Sequence, residues 1–145
     1  MRAVIQRVKE AQVTCGESLS GRIDRGLMVL LGIKKGDTRH DMEYLVNKIV
    51  NLRIFEDKNG KMNLSALEMK FDILVVSEFT LYGDCRKGFR PNFQDSAPAE
   101  EAQRLYDQFI EKIKESGLKI ASGVFKAMMD VALVNDGPVT IIIDS

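Results

Sequence analysis

The chain has 145 residues, 45% of them hydrophobic and 29% charged, with Lys+Arg and Asp+Glu both at 21 and a formal net charge of zero. That suits a single globular domain spanning residues 1–145, long enough to bury a core, and it excludes a general nucleic-acid-coating role, so an RNA ligand would need a local basic patch. No run approaches the roughly 18 apolar residues of a membrane span, and Met1–Val8 alternates like a strand rather than a signal peptide, so the expected location is the cytoplasm with no membrane partner.

Ala3–Val8 reads as a strand. Ala11–Cys15 and Ser18–Ile23 read as a hairpin about Gly16-Glu17, Arg25-Gly26 as a turn, and the nearly all-apolar Leu27–Ile33 as a buried strand. Past the Lys34–Asp37 loop, Thr38 opens a helix with Asp41 three residues on, close to a capping-box pattern. Met42, Leu45, Val46, Ile49 and Leu52 then recur at helical spacing. Asn59-Gly60 marks a loop.

Ile73–Val76 is an apolar strand core running into Ser77-Glu78-Phe79-Thr80-Leu81. The alternation there predicts a half-buried strand, with Glu78 and Thr80 on one face and Ser77, Phe79 and Leu81 on the other. A charged, glycine-bearing loop follows, from Tyr82 to Phe93. Ser96, Pro98, Glu100 and Glu101 mark a second helix start, Ala102, Leu105, Tyr106, Phe109, Ile110 and Ile113 its buried face, and Gly117 its end. Two or three strands finish the chain, with Asn135-Asp136-Gly137-Pro138 read as a turn between Val131–Val134 and Val139–Ile143. This order places the fold in the α/β class: a mixed, largely antiparallel sheet with two main helices.

The residues open to chemistry are few. His40 is the only histidine, at a helix start where exposure is the default, so Ser-His-Asp and Cys-His arrangements are hard to build. Cys15 and Cys85 lack the spacing of a disulfide framework or zinc site and read as reduced thiols. The inventory requires no metal and no cofactor. Thr80 is a nucleophile only if something activates it, and its hydroxyl more readily hydrogen-bonds a substrate. Glu78 can serve as a base, and the plain alternative is a strand end with one wet face. Arg86, Lys87 and Arg90, interleaved with Phe89 and followed by Phe93, suit phosphates and bases, or equally a solvated loop.

The segments "MRAVIQRV", "GLMVLLGI", "GKMNLS", "ILVVSEFTL", "RPNF" and "VNDGPVTI" occur in that order from Met1 nearly to the C-terminus, and together they resemble the D-aminoacyl-tRNA deacylases, also called D-tyrosyl-tRNA deacylases. The resemblance implies an intertwined homodimer with active sites at the interface. It implies hydrolysis of the ester of D-aminoacyl-tRNA, with glycyl-tRNA also admitted. Ser77, Glu78, Phe79 and Thr80 become the catalytic segment, with backbone N–H groups near Phe79 and Thr80 facing the oxyanion and the ribose 2′-hydroxyl assisting water. Gly137, Pro138, Val139 and Thr140, with Phe125 and Met129, become the substrate-binding groups. Among them a cis Gly137-Pro138, inserted into the partner's site, is the main-chain gate that rejects L-residues. Arg86, Lys87 and Arg90 become tRNA contacts.

Two departures stand out. Glu78 occupies the place of the family's glutamine, and a carboxylate accepts hydrogen bonds without donating one. Lys126 and Met128 stand where a small residue and an aspartate are common. These departures keep a non-catalytic tRNA-binding module open, and a small-molecule esterase using Cys85 or Thr80 is the third reading.

Overall fold

The structure, a computed structural model, describes residues 1–145. The two strands expected at the start are one: β1 (Arg2–Cys15) runs unbroken for 14 residues. One edge of β1 pairs antiparallel with β2 (Ser18–Ile23) over its second half and with β3 (Gly26–Gly32) over its first. Two short strands, β4 (Phe55–Glu56) and β5 (Met62–Leu64), form a separate ribbon. The main sheet continues from β3 to β6 (Asp72–Ser77) and on to β7 (Ile120–Ser122), both steps parallel. The other edge of β1 carries β8 (Asp130–Asp144), antiparallel from the Arg2–Asp144 pair to the Thr14–Asp130 pair. The sheet is therefore mixed, as expected.

The helices lie on one face. α1 (Arg39–Asn51) and α3 (Ala99–Lys114) bury Leu45, Ile49, Phe109 and Ile113 against Ile5, Leu27, Val29, Ile73 and Val75. Between them the single-turn α2 (Ala66–Met69) carries its own Ser65–Glu68 capping box. It and the β4–β5 ribbon are too short to leave a periodic signal. On the other face Val8, Val13, Ile23, Met28, Leu74 and Val76 form a second cluster. The sheet curls around it, since a Cβ on Gly21 of β2 would lie 3.0 Å from the Ser122 carbonyl of β7.

Two local readings are corrected. The strand does not continue through Ser77–Leu81: β6 stops at Ser77, and Phe79–Tyr82 is a 3-10 turn. Its pairing partner runs out there. β3 ends at Gly32, and the chain crosses over it so closely that a Cβ would sit 3.2 Å from the Glu78 carbonyl oxygen. Nor is Asn135–Pro138 a turn. β8 runs straight through it, with a cis Gly137-Pro138 bond and register shifts opposite Gln6–Glu10, so two strands finish the chain.

The start of α1 behaves as its sequence suggests. The Thr38 hydroxyl and backbone N–H both donate to Asp41 Oδ2, at 2.7 and 2.8 Å. Those bonds hold the Asp41 carboxyl at about 2, against an ordinary value of 3.8. The folded value lies below the unfolded one, so the contribution is complete above about pH 4 and is lost as pH falls toward 2. After allowance for solvent screening, Asp41→Asn is expected to lower stability by about 0.5–1 kcal/mol at neutral pH, with the gap narrowing toward pH 2. Urea unfolding at several pH values checks this, and a gap independent of pH contradicts it.

Candidate active site

The parallel neighbours β3 and β6 end together, at Gly32 and Ser77. Crevices outside the carboxyl ends of parallel strands are where such sheets take ligands. A cavity of about 670 Å³ opens there. Leu31, Ile33 and Val76 form its floor, Ala97, Ala99 and Ala102 line it from around the start of α3, and Phe125, Met128, Met129 and Val131 close it from the β7–β8 side. The alanines leave room where larger side chains would fill the crevice. Ser77, Glu78, Thr80 and Lys126 supply the polar groups.

The Ser77–Thr80 segment is held from several directions. Glu78 N–H donates to the Leu31 carbonyl at 2.9 Å, which continues the β3–β6 ladder by one bond. The Glu78 carboxylate then turns back to cap the 3-10 turn, accepting from the Thr80 hydroxyl and, at 3.3 Å, from the Thr80 N–H. Glu78 and Thr80 therefore do meet, through a cap rather than along a strand face. The Ser96 hydroxyl donates to the Phe79 carbonyl at 3.0 Å, and the Phe79 ring meets Phe93 edge-on at 5.1 Å. The Phe79 N–H opens the 3-10 turn, where the first N–H groups of a helix have no acceptor within the helix itself.

The opposite wall is the β7–β8 connection. Ala127 N–H donates to the Val124 carbonyl at 3.2 Å and closes a turn in which Lys126 adopts φ of 64°. Phe125 leans on Tyr106, whose hydroxyl donates to the Val75 carbonyl at 3.0 Å. Burial pushes the Tyr106 phenol well above its ordinary value, so it stays a donor. A Cβ at Gly123 would lie 2.5 Å from Met129 Sδ, so a larger residue there would make the Met129 side chain shift from its place in the cavity wall.

Gly137, Pro138, Val139 and Thr140 do not line this cavity. They belong to the irregular middle of β8, where Gly137 has φ of 132° and a Cβ would press on Val139 and Arg7. Arg7, buried at 5% exposure, is what holds this region. Its Nε donates to the Asp136 carbonyl at 3.0 Å and one terminal nitrogen donates to the Ile54 carbonyl at 2.6 Å. The Asp136 carboxylate lies 3.5 Å from Arg7 and 3.3 Å from Arg25. Thr140 meets Gln6 at 3.3 Å.

Arg86, Lys87 and Arg90 also lie outside the cavity, on the following loop. Arg86 is committed to Asp84 through two guanidinium nitrogens at 2.9 and 2.8 Å, and these bonds hold the Asp84 carboxyl at about 2. Cys85 is exposed and not among the lining residues. Within the chain, then, Ser77, Glu78, Phe79, Thr80, Phe125 and Met129 come together, while the Gly-Pro group and the loop cations stand apart. Arg7, Ala97 and Ala99 carry no motif that marks them in the sequence.

Comparison with known proteins matches residues 4–144 to the family model described as D-Tyr-tRNA(Tyr) deacylase. The chain is 61% identical over 145 residues to the "D-aminoacyl-tRNA deacylase" of Halothermothrix orenii, covering 100% of this chain and 97% of that one. It is 57% identical to the "D-aminoacyl-tRNA deacylase" of Aquifex aeolicus, covering 100% and 98%. Among solved structures, "c-Myc DNA Unwinding Element Binding Protein" superposes with a TM-score of 0.94 at 44% identity, covering 100% of this chain and 99% of that one. A "probable eukaryotic D-amino acid tRNA deacylase" shares the fold with a TM-score of 0.85 at 19% identity, covering 99% and 98%.

The left-handed conformation of Lys126 gives a test of the cavity wall. A β-carbon is disfavoured there, so Lys126→Gly is expected to raise stability by roughly 1 kcal/mol. Denaturant unfolding reads the change, and a loss of stability shows that the lysine makes contacts outweighing its backbone cost.

Proposed function

The chain belongs to the D-Tyr-tRNA(Tyr) deacylase family, and we infer from this that it hydrolyses D-aminoacyl-tRNA to free D-amino acid and tRNA. The observation that carries the reading at the level of the site is the shared cavity: Ser77–Thr80 face Phe125 and Met129 across about 670 Å³, a volume in the range of small-ligand pockets. Apolar walls with a few polar groups on one side suit an aminoacyl ester seated beside its terminal adenosine.

In the proposed reaction water adds to the ester carbonyl, the acyl C–O bond breaks, and the ribose oxygen leaves with a proton. The Phe79 N–H at the start of the turn is assigned as the donor for the developing oxyanion, since the Thr80 N–H already serves the Glu78 cap. Thr80 orients rather than attacks. Glu78 is its only hydroxyl acceptor, and a carboxylate is a weak base toward an aliphatic hydroxyl. The ribose 2′-hydroxyl beside the ester positions the attacking water.

Selection against L-residues is assigned to the Gly137 and Pro138 carbonyls of a second copy, which accept from the substrate α-ammonium and leave no room for an L side chain. Glycyl-tRNA passes the same gate because it has no side chain to clash. A homodimer is supported by β8, which pairs with β1 alone and exposes Val134 and Ile142. It is supported too by the separation of the Gly-Pro group from the cavity of its own chain. Val139 and Thr140 hold the gate in its strand. Lys87 and Arg90, with Arg86 in a lesser role because Asp84 engages it, face the tRNA backbone. A tRNA substrate is consistent with a cytoplasmic protein, and no helix is long and apolar enough to cross a membrane. The esterase reading through Cys85 is not favoured, since that thiol lies off the cavity, whereas Thr80 lines it.

Purified protein is expected to release D-tyrosine from D-tyrosyl-tRNA and to spare L-tyrosyl-tRNA; inactivity toward both D-tyrosyl- and glycyl-tRNA overturns the reading. Thr80→Ala is expected to keep measurable turnover, whereas complete loss together with a trapped acyl-enzyme in the wild type would make Thr80 the nucleophile. Glu78→Gln keeps an oxygen acceptor for Thr80 and adds two donors, so kcat/KM is expected to be maintained or raised. A loss of a hundredfold or more would show that the negative charge itself is used.

A further inference from the structure

The loop after the 3-10 turn is built as a closed, anchored projection. Asp84 and Asn92 exchange backbone hydrogen bonds at 2.8 and 3.0 Å, which pinch its base shut. Just beyond the pinch, Phe93 packs on Phe79, a residue of the cavity wall. At the tip, beside Gly88 in the left-handed region, Phe89 is fully exposed at 106%. An aromatic ring standing in water on an anchored loop packs against nothing in its own chain. Its neighbours Lys87 and Arg90 enter no ion pair.

We propose that Phe89 is a stacking platform for an unpaired base of the tRNA acceptor end, with Lys87 and Arg90 on the flanking phosphates. The proposal rests on the deacylase reading for the identity of the RNA. The chemistry of the tip gives the class of partner: a bare aromatic face between unpaired cations fits single-stranded nucleic acid, whose bases stack without regard to sequence. Geometry gives the place. The Phe79–Phe93 contact ties this loop to the cavity that takes the esterified adenosine, so the loop meets nucleotides leading up to that adenosine. Arg86 is not part of the platform, because Asp84 holds it within the loop.

The test uses two hairpin RNAs that differ only in a single-stranded CCA tail, with binding read by fluorescence anisotropy. The wild type is expected to prefer the tailed hairpin about tenfold, in line with one stacked base. Phe89→Ala is expected to reduce that preference and Phe89→Trp to retain it in full. Lys87→Ala with Arg90→Ala weakens both hairpins and flattens the salt dependence. In turnover, Phe89→Ala is expected to raise KM for D-tyrosyl-tRNA about tenfold with kcat unchanged, and to leave D-tyrosyl-adenosine hydrolysis unaffected. Equal binding of the two hairpins by the wild type, a preserved preference in Phe89→Ala, or equal losses on both substrates overturns the proposal. If the wild type hydrolyses neither substrate, the deacylase reading falls, and the hairpin comparison alone still decides whether Phe89 stacks.

Discussion

β1 is hydrogen-bonded on both edges along most of its length, to β8 on one side and to β3 and then β2 on the other. A strand held this way has no freedom to slip, because a shift of one residue would turn Ala3, Ile5 and Val13 out of the core. Everything that shapes the site inherits that register. β3 brings Leu31 and Gly32 to the crossing point, β6 ends against them, and the chain leaves the sheet where the Glu78 cap forms. At the opposite end of the β1–β3–β6 run the approach is just as close, since a Cβ on Gly26 would fall 1.9 Å from the Asp72 carbonyl oxygen.

The site divides its work between backbone and side chain. The Phe79 N–H opens the 3-10 turn, and the side chains around it mainly hold that turn. Glu78 closes the turn, Ser96 fixes the Phe79 carbonyl, and Phe93 supports the ring. Such a design tolerates side-chain change better than a triad does, which explains how a carboxylate can stand at position 78 without dismantling the geometry. The far wall follows the same rule: Gly123 makes space for Met129, and Tyr106 ties β6 to α3 beneath Phe125.

Much of this was legible in the residues. The apolar periodicities of α1 and α3, the buried run of β3 and the Thr38–Asp41 cap all stand where the spacing put them. What misled was local pattern without its partner. Ser77–Leu81 alternates like a strand, yet a strand needs a neighbour, and β3 had already ended. Asn135–Pro138 has every mark of a turn, but pairing with β1 on both sides keeps the chain extended. Arg7 is legible in the strand pattern. Its spacing from Ala3 and Ile5 put it on the buried face, and a guanidinium there requires carbonyl partners. Of the alanines that line the cavity, Ala102 is legible as part of the buried face of α3, while Ala97 and Ala99 carry no signal because alanine around a helix start is ordinary wherever it occurs.

The irregular middle of β8 has a consequence for how this protein survives its own synthesis. A strand of 15 residues with an open edge invites indiscriminate pairing with other nascent chains. Here the regular pairing covers residues 130–135 and 140–144, and between them lie the bulge and a proline with no N–H to offer. A stray strand that docks on one stretch is thrown out of step before it reaches the other. Misassembly is thereby confined to short, reversible encounters, and only a surface shaped to the break can engage the whole edge.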